Sequence, residues 1–476
     1  MKKESLVSSV IWKFLERSSV QVIGLIVQIV LARLIAPSQF GCLSIILVFY
    51  NFFDIFVQKG FSSALIRKKE LSQHDKDTIF WISLIIAIVA SIIIILSAPV
   101  IARFYEDLEL MLPLRVMALA LLISPIYCIY NALLVRGMAF RVIFIRSLLA
   151  ALLSGTVGII MALKGFGLWA LVFQIIVRNV VLTMVMMIGT DYRIGLSFSK
   201  QSFRDVFSFG KNVLMTEVLL YIVKSLQPLL IGKYYSTKDL AYYDRGHTYP
   251  DVIMNAMNDT FFSTLLPYFS KIQDDDIAIQ QKFTVTTKIM MFFCVPLFFL
   301  FAAVSNEFVL SIITDKWIEA VPFLIVFCLY ETIFPFQISA KVVLYAKGES
   351  KTVFQTEIMK AILSVVLIVI TVFLGPLYIA TSLIVVRAFN IVMYFHSISK
   401  FIDIRPVLKE SFKPFISSTL VFVLIFSCPF DIDSPFWMMI IKLISGCILY
   451  LGIEALIDKG FILQFVSGVP KRIIQK

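Results

Sequence analysis

The sequence predicts an all-α polytopic membrane protein: about fourteen transmembrane helices, built as two parallel six-helix lobes around a central cavity plus two C-terminal helices. Three observations predict it. The first is composition: 59% of the 476 residues are hydrophobic and 16% charged, against about 25% charged in soluble chains. With 44 Phe, too few polar side chains remain to cover a water-facing surface, so lipid must be the outer solvent. The second is texture. The apolar residues run in continuous blocks of about 20, the length of a membrane-crossing helix, without the short alternation of a membrane barrel. The third is an internal repeat, described below.

The blocks lie near 14–35, 42–58, 79–102, 112–134, 143–163, 167–188, 206–231, 239–268, 283–304, 319–345, 353–374, 377–398, 412–429 and 436–457. Each is a window of the length and hydropathy that lipid requires. The 239–268 block is the most polar of them. Loops are short, so neither face carries a soluble domain in which separate chemistry could sit. The net charge of +12 reflects the placement of Lys and Arg beside the spans. Lys59, Arg67, Lys68 and Lys76 crowd one loop and Lys400, Arg405, Lys409 and Lys413 another, while Glu106, Asp107 and Glu109 fall on the opposite side. This asymmetry puts both termini in the cytoplasm. Nucleic acid is not the implied partner.

Slid against itself by about 200 to 211 residues, the chain matches in order along both halves. LARLIAPSQFG at 31–41 lies over IGKYYSTKDLA at 231–241, and Pro113-Leu114 over Pro322-Phe323. Val135-Arg136-Gly137 lies over Ala346-Lys347-Gly348, and Arg178 over Arg387. An even number of spans separates the copies, so both keep one orientation, which is the parallel-repeat plan of many transporters. The expected division is 1–195 for the first lobe, 196–405 for the second and 406–476 for the extra spans and tail.

Charge at a helix centre costs roughly 2.5 to 3.5 kcal/mol on insertion scales, so polar stripes mark faces turned to protein or water. Arg17, Gln21, Gly24 and Gln28 share one face of the first span, and Ser44, Asn51, Asp54 and Gln58 one face of the second. Glu217, Tyr221 and Lys224 do so in the seventh, and Asp244, Thr248, Asp251, Asn255 and Asn258 in the eighth, with Arg245 beside them. The repeat pairs the first span with the seventh and the second with the eighth, so these stripes are expected to line the cavity. Arg178 and Arg387, one mid-span in each lobe, have two readings, an anion-binding group or a structural tie within the lobe, of which the tie is preferred; Glu331 and the Glu357 and Lys360 pair read mostly as packing or snorkelling. The chain has no phosphate-binding glycine loop and no nucleophile elbow. His247 and His396 are not spaced as ligands, so neither enzyme chemistry, a metal nor a cofactor is expected.

LARLIAPSQFG at 31–41 and GFGLWALV at 165–172, supported by GFSSALI at 60–66, APVIARFY at 98–105 and RGMAF at 136–140, give the chain its likeness. It resembles the Wzx-type polysaccharide flippases of the multidrug/oligosaccharidyl-lipid/polysaccharide exporter superfamily. The resemblance implies a polyprenyl-pyrophosphate-linked oligosaccharide as cargo, moved across the bacterial inner membrane for lipopolysaccharide or exopolysaccharide assembly, with a polysaccharide polymerase as a candidate partner. Under it, Arg17, Lys224 and Arg245 are the candidates to hold the pyrophosphate, and Gln28, Asn51, Tyr221, Asn255 and Asn258 to contact sugar. Asp54, Glu217 and Asp251 are the candidates to bind a coupling cation. The alternatives are a cation-coupled drug or metabolite antiporter of the same superfamily, favoured by the acid in the stripes, and a membrane polymerase or glycosyltransferase.

Overall fold

The computed structural model describes residues 6–68, 71–190, 192–427, 432–459 and 461. Its helices are α1 (Leu6–Leu34), α2 (Pro37–Arg67), α3 (Gln73–Phe104), α4 (Met111–Leu119), α5 (Ser124–Arg136), α6 (Phe140–Leu163), α7 (Leu168–Met187), α8 (Lys200–Tyr234) and α9 (Thr237–Ser270). They continue as α10 (Asp276–Ala303), α11 (Ser305–Phe308), α12 (Val321–Thr332), α13 (Phe334–Ala346), α14 (Ser350–Thr371), α15 (Pro376–Ile398), α16 (Ile404–Ser427) and α17 (Pro435–Ile457). Among the described residues, twelve segments are long and apolar enough to cross a membrane. The expected first and eighth spans are helical as well, but the apolar stretch described in α1 is Ser19–Leu34, and α9 carries Asp244, Arg245, Asp251 and Asp259. The fourteen spans expected from the sequence are therefore not all reached on hydropathy.

Two of the twelve segments are broken helices, and the breaks obey the repeat. In residues 108–136, α4 gives way to a 3₁₀ turn at Ala120–Ile123 and then to α5, whose second residue is Pro125. In residues 315–346, α12 stops at Thr332 and α13 restarts with Pro335 as its second residue. Proline lacks the amide hydrogen and clashes with the carbonyl four residues back, so each helix is interrupted and restarts around the ring. Past the second half-helix, both copies place a cation on main-chain carbonyls. Arg136 donates to the Leu65 carbonyl at 3.0 Å and also to that of Lys68. Lys347, its counterpart, donates to the Gln273 carbonyl and pairs with Asp276.

The chain forms two compact units, Met1–Ala241 and Tyr242–Lys476. In the first, α6 packs between α1 and α7, while α2 runs against α5 on one side and α8 on the other. The segment after α7 is strapped to the start of α3. Asp77 accepts from the Tyr192 hydroxyl (2.9 Å), the Gly195 amide (3.1 Å) and the Ser197 hydroxyl (2.6 Å), and the Trp81 indole donates to the Gly195 carbonyl (2.9 Å). Burial, reinforced by the bond to Asp77, pushes the Tyr192 phenol up.

At the far end of α2 the packing is backbone on backbone. A Cβ added to Gly41 would lie 1.7 Å from the Thr237 carbonyl oxygen, at the start of α9. Around that contact, the Cys42 thiol donates to Asp107 (3.2 Å), the Tyr105 hydroxyl to the Leu229 carbonyl (3.3 Å), and Lys233 to Glu106 (3.0 Å).

In the second unit, α10 packs against α12 and α16, and α15 against α12, α13 and α14. The two C-terminal helices are held by charge as well as by the apolar cluster of Phe292, Leu300, Val421, Ile425 and Tyr450. Lys442 of α17 pairs with Glu307 of α11 at 2.6 Å, with both side chains below 10% exposed. Lys288 of α10 pairs with Glu410 (2.6 Å) and Asp458 (2.5 Å), and Lys413 joins both acids at 2.9 Å. Burial opposes ionisation of Asp458, but the hydrogen bonds from Lys288 and Lys413 outweigh it and hold the carboxyl below the usual carboxylate range.

Candidate functional site in the first unit

The first unit encloses a cavity of about 440 Å³. Three helical faces and one break build its wall. From α2 come Leu47, Tyr50, Asn51, Asp54 and Gln58, and from α7 come Gln174, Arg178, Asn179 and Thr183, each set repeating every three or four residues as a single helix face requires. Gln28 of α1 closes one side. The 3₁₀ turn in the fourth span places Ser124 and Tyr127 opposite, because the helix that restarts there presents its first turn to the cavity.

The polar groups of the wall are partly satisfied by one another. The two oxygens of Asp54 accept from the Ser124 hydroxyl and the Gln58 amide, each at 2.6 Å. The Asn179 amide donates to the Tyr50 hydroxyl at 3.0 Å. Three groups are left over. The Gln174 carbonyl oxygen and the Thr183 hydroxyl are buried and, among the described residues, have no hydrogen-bond partner. Arg178 is exposed to the cavity and, among the described residues, has neither an ion-pair nor a hydrogen-bond partner.

Arg178 was expected to be a structural tie, and the structure corrects this. Its repeat partner Arg387 is tied: it is 8% exposed, donates to the Tyr330 carbonyl at 2.8 Å, pairs with Glu331 through both nitrogens, and stacks over the Tyr330 ring at 3.3 Å. Glu357 is likewise engaged, by Lys341 and Lys360 at 3.2 Å each and by the Tyr394 hydroxyl at 2.7 Å.

Of the residues singled out in the sequence, Gln28, Asn51 and Asp54 meet in this cavity. Tyr221 lies nearby on α8, its hydroxyl donating to the Val48 carbonyl at 3.0 Å and its ring centroid 6.5 Å from that of Phe52. Lys224 is exposed and Glu217 half-buried on the same helix. The Arg17 side chain lies outside the described residues. Arg245 is buried in the second unit, its guanidinium 5.4 Å from the centre of the Trp317 ring. Asn255 donates to Asp251, one turn earlier on α9, at 2.9 Å, and Asn258 is half-buried. Sequence reasoning passed over Tyr50, Ser124, Tyr127, Gln174 and Asn179. The clue was the Gln174, Arg178 and Asn179 series, at i, i+4 and i+5 of an otherwise apolar helix.

A family model described as polysaccharide biosynthesis protein matches residues 30–322. The chain belongs to that family. The Escherichia coli (strain K12) lipopolysaccharide biosynthesis protein WzxC is 24% identical over 423 residues, 87% of this chain and 84% of that one. The succinoglycan biosynthesis transport protein ExoT of Rhizobium meliloti (strain 1021) is 22% identical over 66% of this chain and 63% of its own length. Family membership agrees with the fold: the solved structure of the lipid II flippase MurJ in an inward closed conformation superposes with a TM-score of 0.73, at 15% identity, over 96% of this chain and 100% of that one. The chain is thus a multi-pass membrane protein of the polysaccharide biosynthesis family with a transporter fold.

Proposed function

We propose that the chain is a flippase of the bacterial inner membrane, with both termini cytoplasmic, which carries polyprenyl-pyrophosphate-linked oligosaccharide repeat units to the outer leaflet by alternating access. The observation that carries this reading is a cavity walled by amides, phenols, a carboxyl group and an arginine, among helices that expose large apolar side chains on their outer faces. Sugars and pyrophosphate cannot cross hydrocarbon unaided, whereas the polyprenyl tail is at home there. A protein that shelters only the head group therefore meets the whole energetic demand. Gln28, Asn51 and Tyr221, with Asn255 and Asn258 of the second unit, are the proposed sugar contacts. Arg17 and Lys224 are the proposed pyrophosphate contacts, Arg245 being buried against Trp317, and Asp54, Glu217 and Asp251 are the proposed cation-coupling groups. A polysaccharide polymerase is the partner such a cargo calls for.

The test is the fate of the cargo in a deletion strain. The flippase reading expects finished, monomeric lipid-linked repeat units to accumulate on the cytoplasmic leaflet and surface polysaccharide to vanish, with both restored by the plasmid-borne chain. Accumulation on the outer leaflet would assign polymerisation instead. Unchanged surface polysaccharide together with lost efflux of organic cations would assign antiport.

A further inference from the structure

The segment that follows α7 carries a row of apolar side chains left bare. Residues 192–199 belong to no helix, and their exposure alternates. Ile194, Leu196 and Phe198 are 38%, 90% and 61% exposed, whereas Gly195, Ser197 and Ser199 turn towards α3. There Asp77 accepts from the Gly195 amide and the Ser197 hydroxyl, and the Thr78 hydroxyl accepts from the Ser199 amide at 2.9 Å. A two-residue period belongs to extended chain, in which successive side chains leave by opposite faces. One face is pinned to the helix, and the other points away from it.

The pin fixes the height of the row. No charged residue lies between Asp77 and Arg103 on α3, a stretch long enough to cross hydrocarbon about 30 Å thick, so Asp77 stands at the edge of the lipid. Aromatic side chains gather at the same level: the Trp81 indole donates to the Gly195 carbonyl, and the Tyr130 hydroxyl to the Tyr192 carbonyl at 3.1 Å. Amphipathic rings take this position where water meets lipid.

Charge at this level is mostly basic. From Asp191 to Lys211 the chain carries Arg193, Lys200, Arg204 and Lys211 against Asp191 and Asp205, and all four bases are exposed. Lys76 lies over the Tyr192 ring at 5.4 Å, and Arg146 donates to the Met186 and Ile188 carbonyls. Asp75 and Asp77 of α3 are buried and spent, the first on Lys68 and the second on the segment itself.

We propose that residues 192–199 are a strap for the membrane surface: Ile194, Leu196 and Phe198 sink into the boundary of the acyl chains, and Arg193, Lys200 and Arg204 hold the phosphates of anionic phospholipid. The second unit has no such row. Its segment after α15, residues 399–403, puts its apolar side chains away, with Ile402 at 2% exposed and Phe401 under the Lys347 ammonium at 5.0 Å. The bare row is thus particular to the first unit and not a general property of the fold.

The experiment gives the row a reporter. Leu196→Trp adds one tryptophan to the five of the chain, and the emission it contributes over the unaltered full-length protein is read in vesicles that mix phosphatidylcholine and phosphatidylglycerol, with one or the other brominated at equal mole fraction. Both brominated lipids should quench it, phosphatidylglycerol about two-fold more strongly, while aqueous acrylamide leaves it nearly unchanged. Phe198→Trp should repeat the result and serves as the reporter should the first variant fail to fold. Arg193→Gln, Lys200→Gln and Arg204→Gln together should make the two lipids equal. Strong quenching by acrylamide and none by either lipid would overturn the proposal and leave the row to a protein partner. Equal quenching by the two lipids with the three bases intact would overturn the phosphate contacts. The measurement needs no transport, so it stands apart from the identity of the cargo.

Discussion

Arg178 and Arg387 stand at matching positions of the sixth and twelfth spans, yet one faces an open cavity and the other is locked. Backbone does not separate them: both spans follow a glycine of positive φ, Gly167 and Gly375, and both face a helix broken at a proline. What separates them is the residue that the broken helix presents. In the second unit it is Tyr330-Glu331, which supplies a ring face, a carbonyl and a carboxylate. In the first it is Leu121-Leu122, which has main-chain carbonyls but neither a ring nor a carboxylate. Duplication conserved the stage, and two side chains decide whether an arginine braces the bundle or faces the cavity.

The contrast can be broken from the second unit with the largest effect. Glu331→Ala leaves Arg387 buried without its counter-charge, and the melting transition of the purified protein should register a loss of about 3–5 kcal/mol. A double change to Glu331→Leu with Arg387→Met should return most of it, since the cost lies in the stranded charge. From the first unit, Leu122→Glu offers Arg178 the acid it lacks. Surface polysaccharide should drop at least ten-fold while the protein still accumulates in the membrane.

Smaller effects test the framework around the two arginines. Ser124→Ala removes a hydrogen bond to Asp54 and leaves a buried carboxyl oxygen short of a partner, which should cost about 1–3 kcal/mol in the same melting assay. The acid response should come from the C-terminal cluster. Asp458 sits below its ordinary value of about 3.9 in the folded chain, so its contribution is fully present above that value and is lost as pH falls through the lower folded one. Melting measured between pH 6 and pH 2 should therefore decline less steeply in Asp458→Asn than in the unaltered chain. The smallest change in stability belongs to Arg178→Ala: with no partner to strand among the described residues, it should stay within about 0.5 kcal/mol even as surface polysaccharide falls.

Much of this architecture was legible in the residues. Blocks of about 20 apolar residues located the spans because lipid admits little else, and the match of Pro113 with Pro322 gave the fourth and tenth spans corresponding places in the repeat, though not the breaks at Pro125 and Pro335. The stripe on α2 led to Asn51 and Asp54, two of the cavity's polar groups. The role of Arg178 was not legible. An arginine in an apolar helix looks the same whether its partner is a carboxylate on another helix or a vacant space, and the partner of Arg387 lies 56 residues away in the chain. Ser124 and Tyr127 escaped for a related reason: they matter through the break that turns them inward, and a short polar residue beside a proline carries no periodic signature. Arg245 shows the converse. A helical stripe fixes which residues share a side, but whether that side meets water or an indole ring depends on a neighbour far along the sequence.

The meeting of Gly41 with the Thr237 carbonyl seats α2 on the start of α9 through bare main chain. Where side chains interlock, a larger residue can be accommodated by a change of rotamer; peptide against peptide has nothing to turn aside. Even the single methyl group of alanine at Gly41 would therefore part the two helices like a wedge.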